Sequence, residues 1–160
     1  MHIKRLLLPI KGQRVDEHTL EFACNLVRQE HGCICLLTVI EVPREYAVDA
    51  ELPAAVAQSE ALLRQGEAFV RSRKIKVEAD LLQARDSGPA IVKEAQDERV
   101  DAILLGLPYR KKQEGLTAQS DATYILEHSP CPVLIFREPM PLQPAGVRRD
   151  APGQLAAGPR

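Results

Sequence analysis

Neither sign of charge predominates in this chain: 21 Lys and Arg stand against 22 Asp and Glu, a formal net charge of -1. Without a bulk basic footprint, attachment to nucleic acid or to an anionic membrane surface has no support. No apolar run approaches transmembrane length. The opening MHIKRLLLPIKG has basic residues before a short apolar run, but Pro9 and Lys11 break it before it could form a signal-peptide core. A cytosolic location is therefore expected. The four cysteines, Cys24, Cys33, Cys35 and Cys131, show neither CxxC spacing nor paired histidines, so zinc or thioredoxin-type chemistry is not expected and no metal site is assigned. They read as small, buried apolar side chains suited to a reducing compartment, and Cys33 and Cys35, two apart in a strand, share one face. No GxSxG surrounds Ser120, and His18, His31 and His128 fall at helix ends. No catalytic residue is assigned. There is no internal repeat.

What is present is a regular alternation. Ile3 to Ile10 is a short apolar run, followed by Gly12 and a turn. Val15, Thr19, Phe22, Ala23, Leu26 and Val27 recur at helical spacing and predict a helix over about Asp16 to His31, with acids in its first turn. Cys33 to Val39 is almost continuously apolar, as a strand covered on both faces should be. Leu52, Val56, Leu62, Leu63, Phe69 and Val70 trace a second helix that ends in Arg71, Arg73 and Lys74. From Ile75 to Leu81 the period drops to two, with one polar face, which predicts an edge strand. Asp86-Ser87-Gly88-Pro89 is a helix start, with Asp86 as the capping oxygen. That third helix carries Ile91, Val92 and Ala95. Val100 to Leu105 is a central strand; Ala122, Ile125 and Leu126 give the apolar side of a fourth helix that stops at Ser129-Pro130. Val133 to Phe136 is the fifth strand. Strands alternating with helices predict an α/β fold, a five-stranded parallel, doubly wound sheet with helices on both faces. The domain covers 1–137. From 138 to 160, Pro, Gly and Ala dominate without periodicity, and a flexible tail is expected.

Several stretches together resemble one family. LLLPIKG at the start, LLTVIEVP after the first helix, DSGPAIV opening the third, VDAILLG at the fourth strand and ILEHSPCPVLIF at the end are similar to the universal stress protein family, over about Ile3 to Arg137. The resemblance implies strand order 3-2-1-4-5 and frequent dimerisation along strand five, here Val133, Leu134, Ile135 and Phe136. In one branch it implies an ATP site at the tips of strands one, two and four. That branch carries, after strand four, Gly, two residues, Gly, nine residues, then Gly and Ser or Thr. Gly106 and Ser120 match the first and last of these, whereas Tyr109 and Gln119 replace the glycines between them. Lys11 stands where the family has Asp; Pro9, Ile10 and Val39 are compatible with an adenine-side wall.

Glycines in a phosphate loop allow positive φ and close approach of backbone N–H groups. Side chains at two such positions, together with the lost acidic contact, weaken nucleotide affinity by roughly ten- to thousand-fold at about 1 kcal/mol or more each. No tightly bound cofactor is expected; ATP or another adenine nucleotide is the alternative. Arg110, Lys111 and Lys112 form a basic run in the same loop, readable as a solvated segment or as a site for an anionic small molecule aided by the N-terminus of helix four. Three functions stay open: a non-catalytic regulatory or interaction module acting as a homodimer, a nucleotide-binding switch, and a small-molecule enzyme or transport-associated regulator.

Overall fold

The computed structural model describes residues 1–109 and 120–142. The elements run β1 (Arg5–Pro9), α1 (Arg14–Arg28), β2 (Cys33–Glu41), α2 (Pro53–Ser72), β3 (Lys76–Ala84), α3 (Ser87–Asp97), β4 (Ala102–Leu107), α4 (Asp121–His128) and β5 (Val133–Arg137). The five strands form one sheet in the order β3-β2-β1-β4-β5, and every pairing is parallel. The expected fold class and strand order are observed. Among the described residues no helix is long and apolar enough to cross a membrane.

Side-chain alternation along the strands builds two cores, one on each face. Leu6, Leu8 and Ile10 of the β1 segment pack with Ile34 and Leu36 of β2 and Ala102 and Leu104 of β4 against Leu20, Ala23 and Val27 of α1 and Leu63 and Val70 of α2. Leu7, Cys35, Leu37, Ile103 and Leu105 point the other way, onto Ile91 and Ala95 of α3 and Ala122 and Ile125 of α4. β3 keeps the period of an edge strand: Val77, Ala79 and Leu81 pack on the α1/α2 side, and the alternate residues Lys76, Glu78 and Asp80 are exposed.

The element ends depart from the sequence expectation for physical reasons. α1 begins two residues early because Asp16 lies inside its first turn, where its carboxylate accepts from the N–H groups of the preceding loop. It ends before His31 because His31 turns left-handed at φ 50°. α2 and α3 stop the same way, at Lys74 (φ 60°) and Arg99 (φ 48°), with Ile75 and Val100 donating back to Val70 and Ala95. All three left-handed residues are basic and sit at the negative end of a helix dipole. Val100 thus belongs to the turn, and β4 begins at Ala102. Phe22 and Leu126, both assigned to apolar helix faces, are exposed at the surface; Phe22 sits beside Phe136 of β5, ring centroids 5.5 Å apart.

Two side chains fasten the connection after β2. Arg85 donates to the carbonyls of Val42, Pro43 and Tyr46, and Gln83 Nε2 donates to those of Val48 and Ala50.

Gly106 brings α1 onto β4. A Cβ at this position would stand 2.5 Å from Thr19 Oγ1, whose hydroxyl is already committed to the Val15 carbonyl at 2.7 Å. Neither backbone is free to retreat, so Gly106→Ala should cost about 1–3 kcal/mol, the usual range for overpacking. Urea titration of Gly106→Ala and of the double variant with Thr19→Ala checks this: removal of the hydroxyl should recover part of the loss.

Candidate functional site

The strand order reverses between β1 and β4, and the crevice outside their carboxyl ends is where open α/β sheets bind ligands. Each strand tip leads into a loop whose backbone N–H groups need acceptors. The described residues satisfy them with the chain's own carboxylates. Asp16 Oδ2 accepts from the N–H groups of Lys11 (3.0 Å), Gly12 (2.7 Å) and Gln13 (3.0 Å), with Gly12 at φ +76° closing the turn. At the start of α3, Glu41 Oε1 accepts from the Ser87 N–H at 3.1 Å and the Ser87 hydroxyl at 2.7 Å, and Asp121 Oδ1 accepts from the Gly88 N–H at 3.2 Å. Asp86, expected to cap this helix, occupies the cap position without a side-chain cap bond. Carboxylates from β2 and α4 reach the same donors first. After β4, Glu138 Oε2 accepts from the Tyr109 N–H at 3.4 Å, and its other oxygen lies 3.7 Å from Arg14 Nε. Glu138 is itself anchored, its N–H bonded to the Leu107 carbonyl at 2.8 Å.

The residues picked out from the sequence distribute around this rim. Pro9 closes β1 and Val39 lies in β2, both half-buried; Val39 packs on the α3/α4 side. Ile10 is only 2 % exposed, within the opposite core, so its contribution to an adenine-side wall is limited to the backbone. Lys11 Nζ forms an ion pair with Asp121. Gly106 lies within β4 in the close contact with Thr19. The Tyr109 ring lies beneath the Arg137 guanidinium, 5.1 Å from its centroid. Ser120 caps α4: its Oγ accepts from the Thr123 N–H at 3.2 Å and shares a hydrogen bond with the Thr123 hydroxyl at 2.9 Å. Arg110, Lys111, Lys112 and Gln119 lie outside the described residues.

Asp16, Glu41, Asp121 and Glu138 are the rim carboxylates that sequence reasoning missed. Two of them carried a local signal: Asp16 follows Gly12 and Gln13 in the first turn of a helix, and Asp121 follows the capping Ser120. Glu41 and Glu138 reach their partners across the sheet. At the other end of the sheet, burial pushes the Cys35 thiol up to about 12 and raises that of Cys33 as well.

Comparison with known proteins supplies the context. A family model described as the universal stress protein family matches residues 2–137. A curated universal stress protein of Methanocaldococcus jannaschii is 22 % identical over 143 residues, covering 85 % of this chain and 83 % of that protein. Among solved structures, the universal stress protein of Archaeoglobus fulgidus in complex with dAMP superimposes with a TM-score of 0.64 at 17 % identity, covering 84 % of this chain and 98 % of that one. A universal stress protein family protein of Arabidopsis thaliana with AMP bound gives 0.61 at 14 % identity, covering 89 % and 97 %.

The Asp16 carboxylate holds three backbone donors on one oxygen, so its removal strands all three at once. Asp16→Ala should lower the unfolding free energy by about 1.5–3 kcal/mol, the range for hydrogen bonds to a charged group. Chemical denaturation measures this, with Glu17→Ala one residue along as the control expected to change little.

Proposed function

Because this chain belongs to the universal stress protein family, we propose that it is a non-catalytic regulatory or interaction module of the cytoplasm, acting as a homodimer, with a degenerate nucleotide loop that holds ATP poorly. The observation that carries this reading is the occupation of the rim by internal carboxylates. A phosphate entering the crevice meets Lys11 already paired with Asp121, the N–H groups of Lys11, Gly12 and Gln13 already donated to Asp16, and that of Tyr109 donated to Glu138. Each of these acids repels it, and each donor it takes leaves a carboxylate unpaired. Tyr109 and Gln119 add side chains at positions where the ATP-binding branch has glycine.

A second reading, a switch that binds an adenine nucleotide at the tips of β1 and β4, is favoured by Gly106 and Ser120, which keep the outer frame of the loop. It is also favoured by the two solved relatives that hold dAMP and AMP. Monophosphates place less charge among the carboxylates than ATP does. The basic run Arg110 to Lys112 would serve either a nucleotide or another anionic small molecule.

The homodimer reading rests on β5. It is the last strand of the sheet, its outer edge is unpaired among the described residues, and Ile135 stands 42 % exposed with Phe22 and Leu126 also at the surface. An apolar open edge is a template for a second copy.

Titration calorimetry at two salt concentrations tests the nucleotide reading. ATP should bind no better than about millimolar, near -4 kcal/mol, with what binding there is weakening as salt rises. The double change Tyr109→Gly, Gln119→Gly should tighten it. Micromolar, salt-insensitive ATP binding by the unaltered protein overturns this reading in favour of the switch. Light scattering tests the dimer: the expected mass is twice that of the chain, and Val133→Lys or Ile135→Lys should return it to the single-chain value.

A further inference from the structure

The amino-terminal end of the sheet, opposite the rim, holds a second cluster. Arg5 of β1 pairs in register with Cys33 of β2, and Cys35 of β2 pairs in register with Glu78 of β3. By strand alternation Arg5, Cys33, Cys35 and Glu78 all lie on the α3/α4 face. The two sulfurs and a carboxylate oxygen of Glu78 lie within 4.8 Å of one another, and Cys35 Sγ is 3.8 Å from Glu78 Oε2. We propose that Cys33, Cys35 and Glu78 form a binding site for a thiophilic d10 cation of the Zn²⁺ class, independent of the nucleotide rim.

Geometry and charge both favour this occupant. Around a tetrahedral zinc with bonds of about 2.3 Å to sulfur and 2.0–2.2 Å to oxygen, neighbouring donors stand about 3.6–3.8 Å apart. The Cys35–Glu78 separation already has that value, and the remaining donors need only small side-chain adjustments. Two thiolates and the carboxylates of Glu78 and Glu98 carry four negative charges; a dication together with the Arg5 guanidinium leaves one. Arg5 contacts Glu78 through Nη2 at 2.9 Å and Nη1 at 3.4 Å, and Glu98 through Nη2 at 2.8 Å. A carboxylate oxygen has two lone pairs, so Glu78 Oε2 can accept from Arg5 and ligate a metal together. Binding is a substitution without redox change: two S–H bonds are broken, two protons pass to solvent, and two metal–sulfur bonds form.

Access is open. Cys33 is half-buried, and Lys4, Arg5, His31, Cys33, Lys76 and Glu78 line an open concavity of about 520 Å³. A fourth position on the metal would face this concavity, ready for water. The two sulfurs select soft, thiophilic ions over hard, purely oxygen-bound ones.

The test uses the full chain, reduced with a phosphine and freed of metal, titrated with Co²⁺ and then competed with Zn²⁺. The expected result is one Co²⁺ per chain, with the intense visible bands of a tetrahedral ion, a thiolate charge-transfer band, and displacement of both by Zn²⁺. Cys33→Ser should weaken binding by about 100-fold or more and Glu78→Gln by about tenfold, each with the circular dichroism of the folded protein. Cys24→Ala and Cys131→Ser should leave the spectrum unchanged. A pale six-coordinate spectrum, an affinity indifferent to Cys33→Ser, or a thiolate band that disappears with Cys24 or Cys131 instead would overturn the assignment.

Discussion

Leu6, Leu7 and Leu8 are each at most 1 % exposed, and three consecutive residues of an extended strand can be buried only if both faces of the sheet are covered. That condition on β1 dictates most of the molecule. Helices must lie on both sides, so the strands they connect must run parallel, and the two cores must divide the side chains of β2 and β4 by parity. Removal from water of these aliphatic side chains, at roughly 1.5–3 kcal/mol each, is the largest favourable contribution to the fold. The close seating of α1 at Gly106 and Thr19 is the same condition seen at one contact: where the helix must come nearest, a side chain has been given up.

A sheet of this kind gathers its strand tips at one end, and with them a set of backbone donors without partners. Nucleotide-binding proteins leave such donors for phosphate. Here carboxylates from α1, α4, β2 and the segment after β5 reach them. The same parallel geometry collects the strand starts at the other end, where Cys33, Cys35, Glu78 and Arg5 meet. Carboxylates occupy both ends, joined by hydroxyls at the rim and by thiols and a guanidinium at the strand starts. Both follow from register, because parallel pairing puts neighbouring strands' first residues side by side.

The fold was legible in the sequence because its signals are local. Period two in Ile75 to Leu81, continuous apolarity in Cys33 to Val39 and helical spacing in Val15 to Val27 each need only one element to be read. Helix ends were less legible: His31, Lys74 and Arg99 take a left-handed conformation that most residues avoid, and nothing in their chemistry announces it. At the rim the sequence offered a loop pattern, as at Gly106 and Ser120, but no signal for the pairs distant in the chain. Lys11 with Asp121 and Ser87 with Glu41 are set by the sheet order, not by spacing. Cys33 and Cys35 were placed on one face from sequence, but Glu78 joins them only through the register of β3 on β2.

Arg85 and Gln83 hold the connection after β2 entirely through main-chain carbonyls, those of Val42, Pro43, Tyr46, Val48 and Ala50. A fastening of that kind is blind to side-chain identity. Tyr46 and Val48 project outward, 51 % and 45 % exposed, from a backbone that their own side chains do nothing to fix. Substitutions at exposed positions such as Tyr46 and Val48 therefore alter what the molecule displays without altering how the display is mounted, whereas Val42, 2 % exposed, anchors it in the core and insertions shift the carbonyls out of reach. The segment's exposed positions are a surface that evolution, or an engineer, can rewrite letter by letter so long as the length and the buried Val42 are kept.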